Sequence, residues 1–156
     1  MLIPTRHLVW ANAQFYEKAI SFSEEELQLR LTDGEWSIAE HLSHIAGSFE
    51  WFRYILTKAR WTDLQPPTNS AQTRALADYV AELGADLLAQ AHLAPDEVIE
   101  FNDERGAQKV ERTTVLAQAS LHSAEHKAQI VDILRLHGRR DIDLEQFDLW
   151  HFPKQI

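Results

Sequence analysis

The sequence predicts an all-α protein built as a four-helix bundle, with a single domain over residues 1–156. Four long segments carry apolar residues at intervals of three or four positions, which is the spacing of one face of an α-helix. Short to medium connections join these segments, as they do in helix bundles. A chain of this length can bury a continuous core without cross-links.

The first long helix is expected over about residues 4–22, because proline is tolerated in the first helical turn. Residues 23–26 have the Ser-x-x-Glu form of a capping box and predict a short helical turn that reaches Leu29. Residues 37–40 repeat this form and begin a second long helix, which should end near Lys58 or Ala59. Its apolar stripe consists of Ile38, Leu42, Ile45, Phe49, Phe52 and Leu56.

A third helix is expected over residues 70–92, after a loop with two adjacent prolines. Residues 96–112 predict either a small β-hairpin or an extended loop, and the pattern does not choose between them. The fourth long helix should run from about residue 113 to His137, with Gly138 as its C-terminal cap. A further short helix is expected within residues 144–150.

Composition excludes several classes of function. The formal charge is −9, and Arg139-Arg140 is the only adjacent basic pair, so we expect no nucleic-acid binding. The chain has no cysteine, which excludes disulfides, zinc–thiolate sites and a cysteine nucleophile. No apolar run resembles a signal peptide or approaches the roughly 20 residues that span a bilayer. We therefore expect a cytoplasmic protein with no membrane contact.

The histidines carry the strongest functional pattern. His122 and His126 are four residues apart, so both imidazoles lie on one helix face, one turn apart. Two histidines at this spacing can bind a common metal ion. On a helical wheel they lie beside the apolar stripe of the fourth helix, at the rim of the bundle interior.

A third ligand is expected from the second long helix, where His41 and His44 are both candidates. Trp51 and Ile55 share the side of His44, which predicts an apolar pocket there. Three histidines from two helices would leave coordination positions open, as in reactive metal sites. The pattern of residues alone does not choose between His41 and His44.

Two further side chains are candidates for hydrogen bonds with the ligating histidines. Gln129 and Glu125 lie close to the pair in the sequence, and ligating histidines usually donate their second N–H to a partner. Glu125 lies on the opposite side of the wheel from Ser123, which favours a solvated surface position.

Two segments resemble motifs of the DinB-like superfamily, which includes the YfiT-type proteins. Residues 36–46 (WSIAEHLSHIA) are similar to the family's W-S/T-x-x-E-x-L-x-H-L/I segment, whose last histidine is a metal ligand. Residues 122–130 (HSAEHKAQI) are similar to its His-x-x-x-His-Arg-Gly-Gln-Ile segment. Lys127 and Ala128 depart from the usual Arg and Gly. The resemblance covers nearly the whole chain.

The resemblance implies that His44, His122 and His126 are the metal ligands, which selects His44 over His41. It also implies an up-down-down-up-like four-helix bundle, often dimeric, that holds a divalent transition metal. Zn and Ni are the first candidates, with Mn and Fe as others. Some relatives use a low-molecular-weight thiol as cosubstrate, namely bacillithiol transferases and mycothiol-dependent maleylpyruvate isomerase.

We therefore expect a metal-dependent enzyme of thiol S-transferase or hydrolase type that acts on a small molecule, as a homodimer. Two other hypotheses stay open: a non-catalytic binding module stabilised by the metal, and a dimeric interaction protein with a degenerate site. Fold alone does not decide among them.

Overall fold

The computed structural model describes residues 2–153, and most of them are helical. The helices are α1 (Leu2–Ala19), α2 (Glu24–Leu27), α3 (Ile38–Thr57), α4 (Ser70–Gln90) and α5 (Arg112–Leu136). An antiparallel hairpin of β1 (Val98–Asp103) and β2 (Gly106–Glu111) precedes α5. A 3₁₀ helix, Leu144–Phe147, follows α5.

The four long helices pack in pairs around a common core. Helix α1 contacts α4 and α5, and α3 contacts the same two helices from the other side. The largest side chains buried between them include Phe15, Tyr16, Phe49, Leu83, Leu87, Leu116 and Ile130. The apolar stripe predicted for α3 faces this core. A mostly helical fold is thus confirmed, with a small sheet added, while the bundle type stays a prediction.

The start of α3 is fixed by a complete capping box. The Ser37 side chain accepts a hydrogen bond from the backbone N–H of Glu40, and the Glu40 carboxylate accepts one from the N–H of Ser37 at 2.7 Å. These bonds satisfy N–H groups that the first helical turn leaves unpaired. The cap therefore holds the two turns that carry His41 and His44.

Several predicted boundaries differ from the structure. Helix α1 spans Leu2–Ala19 rather than residues 4–22, because residues 20–23 form the turn into α2. Helix α4 ends at Gln90, two residues before the predicted end. The last short helix, a 3₁₀ helix over Leu144–Phe147, lies within the predicted range of residues 144–150.

Residues 98–111 form a hairpin rather than an extended loop. Asp103 pairs with Gly106 across a two-residue turn, and Gly106 has a φ of +103°, which glycine adopts without strain. The hairpin contacts α3 and α5. Ile99 is buried, and the Lys58 ammonium donates to the Glu100 carbonyl at 2.7 Å. The hairpin therefore forms a wall beside the predicted metal site.

No helix within residues 2–153 combines the length and apolar character that crossing a membrane requires.

Candidate metal centre

Three of the histidines selected from the sequence lie together between α3 and α5. One ring nitrogen each of His44, His122 and His126 falls within 4.8 Å of the others. The Nε2 atoms of His44 and His122 are 2.9 Å apart. The His126 ring centroid lies 4.6 Å from that of His44 and 4.5 Å from that of His122. The structure therefore brings the three predicted ligands into one cluster.

Burial keeps these imidazoles neutral. It is the main cause that lowers the pKa of His44 to about 4, and repulsion from neighbouring histidines, His126 first, lowers it further. Burial also lowers the pKa values of His122 and His126. Only a neutral imidazole offers a lone pair to a metal ion. Three neutral imidazoles at this separation are a donor set that fits a divalent transition metal.

His41 lies one turn before His44 on α3 and is buried. Its Nδ1 atom is 3.1 Å from Nδ1 of His126. Burial and the neighbouring His126 lower the pKa of His41, while Glu40 and Glu35 raise it. His126 thus directs one ring nitrogen towards His41, which leaves its Nε2 for the cluster. From the sequence, His41 was either a rival of His44 or a histidine at the core edge bonded to a carbonyl, and its pairing with His126 was not predicted.

Trp36 covers the cluster from the side of the α3 cap. Its ring lies 4.5 Å from the His44 ring and stacks on His126 at 5.8 Å with an interplanar angle of 25°. Trp36 immediately precedes the N-cap residue Ser37, so the capping box also positions the indole. The sequence analysis used Trp36 only as part of a motif. An aromatic residue just before the cap of a ligand-bearing helix was the available signal.

The two predicted hydrogen-bond partners behave differently. Gln129 lies close enough to His126 to raise the pKa of this histidine against the effect of burial. Glu125 is exposed on the outer face of α5, as its place on the helical wheel predicts. Gln129 is therefore the candidate that touches the cluster.

Lys127 lies on the side of α5 away from His122 and His126 and is only 5% exposed. Its ammonium donates to the Asn12 amide oxygen at 3.0 Å, and the Ser123 hydroxyl donates to the same oxygen at 2.7 Å. These bonds join α5 to α1 behind His122 and His126. Lys127, one of the two departures from the motif that this segment resembles, thus forms a structural contact between helices.

A pocket of about 720 Å³ opens beside the cluster, between α3, α5 and the hairpin. His44 and His122 lie in its wall, and Trp51 and Ile55 line it as the sequence predicted. The apolar part of its lining consists of Trp51, Phe52, Ile55, Phe101, Val110 and Val115. Asp103 and Arg105, joined by an ion pair of 2.6 Å, lie in the wall that the hairpin forms. A small molecule could reach the histidines through this pocket.

These features define a mostly helical protein with a three-histidine candidate metal centre at a solvent-accessible pocket. The sequence model described as the DinB family matches residues 4–152, and the chain belongs to this family. Neither the curated proteins nor the solved structures contain a match to the chain.

Proposed function

We propose that this protein is a divalent-metal-dependent enzyme of thiol S-transferase or hydrolase type that acts on a small molecule. The observation that carries the proposal is the cluster of three imidazoles, from His44, His122 and His126, beside a pocket large enough for a substrate. Active sites are most often found in such pockets, with a few polar groups that converge in an apolar lining.

The roles of the chain's own residues follow from their contacts. His44, His122 and His126 would hold the ion, and three protein ligands leave room for a substrate atom. His41 orients the His126 ring, while Trp36 and Phe52 cover neighbouring rings and limit the access of water. A bound divalent ion supplies Lewis-acid chemistry, because it polarises a ligand atom and lowers the pKa of a water or a thiol.

The donor set favours Zn or Ni, with Mn or Fe as further candidates. Imidazole nitrogen suits Zn, Ni, Cu and Fe, and the absence of cysteine leaves only nitrogen and oxygen ligands. A low-molecular-weight thiol as cosubstrate belongs to the proposal on family grounds, because thiol-dependent enzymes occur among the relatives.

A non-catalytic, metal-stabilised binding module is the second candidate. The state of Asp103 favours this candidate. Its carboxylate lies in the pocket wall and already accepts hydrogen bonds from Arg105 and Gln108. A carboxylate held in this way is a poor general base until a ligand displaces its partners. Turnover of a substrate that is lost in His126→Ala would exclude this candidate.

The first experiment measures bound metal by elemental mass spectrometry in untagged protein purified without chelators. The parent and the control His92→Ala, whose histidine is exposed beyond the end of α4, should hold about one ion per chain. His44→Ala, His122→Ala and His126→Ala should each lose it. A parent that holds no metal after reconstitution with Zn, Ni, Mn and Fe would overturn the proposal.

The second experiment tests catalysis on the metal-loaded protein. A panel of small thiols with electrophilic acceptors, and a parallel panel of esters and amides, is offered to the parent and to His126→Ala. Turnover in the parent alone supports the enzyme. Full metal occupancy without turnover in either panel supports the binding module.

The assembly belongs to the proposal as well. We propose a homodimer, supported by apolar side chains on the surface such as Trp150, which is 83% exposed, and Leu149, which is 48% exposed. Sedimentation velocity at micromolar concentration would show one species at twice the chain mass, and a single species at the chain mass would exclude the dimer. The four-helix-bundle type, a cytoplasmic location and the absence of nucleic-acid binding stay predictions.

A further inference from the structure

A second pocket reaches the same histidine cluster from the other side of Trp51. It has a volume of about 390 Å³ and lies between α3 and the loop before α4. The two pockets share His44, Gly47 and Trp51, which follow one another along one face of α3. These three residues therefore form the ridge between a larger lobe (the pocket of about 720 Å³) and a smaller lobe (the pocket of about 390 Å³).

Gly47 is the low point of this ridge. A Cβ atom placed on Gly47 would have no heavy atom within 4 Å, so the space above it is open. Glycine destabilises a helix interior relative to alanine. Packing explains the glycine at position 84 of α4, because a Cβ atom placed there would lie 3.1 Å from a methyl group of Val9. No neighbouring atom among the described residues requires a glycine at position 47, and the consequence of this glycine is an open passage between the lobes.

The lobes differ in chemistry. The larger lobe has the apolar lining described above. The smaller lobe has indole rings from Trp36, Trp51 and Trp61 together with three carboxylates. These carboxylates belong to Glu40, Glu50 and Asp63. No lysine or arginine occurs among the described residues that line it.

The carboxylates are held in place by the fold. Thr62 donates to Glu50 through its N–H at 3.1 Å and through its hydroxyl at 2.9 Å, and Tyr79 also donates to this carboxylate. Arg30 forms an ion pair with Glu40 at 2.8 Å. Asp63, in the same loop as Thr62, accepts from the amide of Gln65 at 3.3 Å. Indole faces and carboxylates both attract an organic cation, whereas they repel an anion.

We propose that the two lobes form one ligand site that runs over Gly47 beside His44. It holds a molecule with an aromatic or other apolar end in the larger lobe and an ammonium group in the smaller lobe. This inference rests on the proposed function in one respect, because His44 at the junction is a proposed metal ligand. Gly47 is then the residue that determines specificity for ligands long enough to occupy both lobes.

The test uses 4-phenylbutylammonium and the neutral 4-phenylbutanol as matched probes, with binding measured by calorimetry on metal-loaded protein. The parent should bind the ammonium probe about fivefold more tightly, as a cation over indole rings implies. Gly47→Leu should weaken both probes at least about tenfold, because its side chain fills the passage. Ala85→Leu places the same leucine side chain on the exposed face of α4 and should change neither affinity.

Two further variants separate the lobes. Phe101→Ala removes part of the apolar lining and should weaken both probes to a similar extent. Asp63→Asn keeps the size of the side chain but removes its charge, so it should weaken only the ammonium probe. Gly47→Ala separates an effect on binding from misfolding. Alanine should raise the melting temperature of the protein while it weakens binding of the probes.

Three results would overturn the inference: no binding of either probe to the parent, equal affinity for the two probes, or unchanged binding in Gly47→Leu. Metal content is measured in the same preparations, so the two proposals can fail separately. Gly47-dependent binding in protein that holds no metal would remove the proposed function and keep the ligand site. Metal held by His44, His122 and His126 without probe binding would keep the proposed function and remove the ligand site.

Discussion

His41 and His126 face each other through their Nδ1 atoms, which are 3.1 Å apart. Two neutral imidazoles at this distance share one proton, so one ring donates and the other accepts. The contact fixes the orientation of the His126 ring and therefore the direction of its Nε2 lone pair. A ligating histidine usually has such a partner on its second nitrogen, most often a carboxylate or a carbonyl. For His126, a proposed ligand, the partner is a fourth histidine from the facing helix.

Removal of this partner should weaken the metal site without abolishing it. His41→Ala is expected to lower metal affinity about 10–100-fold, the usual effect of losing a hydrogen bond to a ligand. His41→Gln, which can still donate or accept, should recover part of the loss. Competition with a coloured chelator measures the Zn affinity of both variants. Unchanged affinity in His41→Ala, or a loss as complete as that of His44→Ala, would contradict the role.

Metal removal should lower the stability of the folded protein. An ion that binds only the folded chain adds about 2.7 kcal/mol when its free concentration is 100 times the Kd. A bound ion would also link α3 to α5, since His44 comes from one helix and His122 from the other. Chelation should therefore lower the melting temperature of the parent and leave that of His122→Ala unchanged. Equal effects of the chelator on both proteins would argue against a site on these histidines.

The spacing of His122 and His126 was sufficient to predict that both would face the same centre. The choice between His41 and His44 was not available from residue patterns, because both lie on neighbouring parts of the α3 surface. Which of the two meets α5 depends on the rotation of one helix against the other, and packing of distant side chains sets this rotation. The family resemblance selected His44, which the structure places with His122 and His126.

Local signals predicted the helix starts better than the irregular parts. The two Ser-x-x-Glu segments are complete capping boxes at the expected residues. The hairpin stayed ambiguous because its two-residue turn, Glu104-Arg105, lacks the asparagine or glycine typical of such turns, and because its strands are mostly exposed. The burial of Lys127 was missed, although it lies four residues after the inward-facing Ser123, because a lysine rarely occupies a buried position.

Lys127 should make stability depend on pH. Burial lowers its pKa from 10.5 to about 8. Between these values the unfolded chain binds more protons than the folded one, so stability rises with pH from about 8 towards 10.5. At pH 7 both forms are protonated, and the full penalty for the buried charge is on the order of 3 kcal/mol. Lys127→Met should therefore raise the free energy of unfolding at pH 7.

Urea unfolding between pH 7 and 9.5 measures this dependence. The parent should gain stability relative to Lys127→Met as the pH rises, because only the parent loses a buried charge over this range. Lys18→Met, which removes a lysine that is not fully buried, controls for the change in net charge. If the free energies of unfolding of the parent and Lys127→Met change in parallel with pH, then the folded protein stabilises the Lys127 charge and the pKa is not lowered.

The two capping boxes allow a matched comparison. Ser37 caps α3, whose first turns carry His41 and His44, whereas Ser23 caps the short helix α2, which carries no histidine. Ser37→Ala and Ser23→Ala should each cost about 1 kcal/mol of stability, the usual effect of losing a side-chain N-cap. Only Ser37→Ala should also weaken metal binding, because the cap holds Trp36 and the first turn of α3 against the histidine rings.

Chemical unfolding and a Zn titration of the two variants decide whether the cap acts on the site or only on the helix. Ser37→Thr keeps the capping oxygen and should restore both stability and metal affinity. If Ser37→Ala lowers stability but binds Zn as tightly as Ser23→Ala does, then the first turn of α3 does not position the ligands. The orientation of His44 would in that case depend on its packing against the rings of His122, His126 and Trp36, which contact it from α5 and from outside the helix.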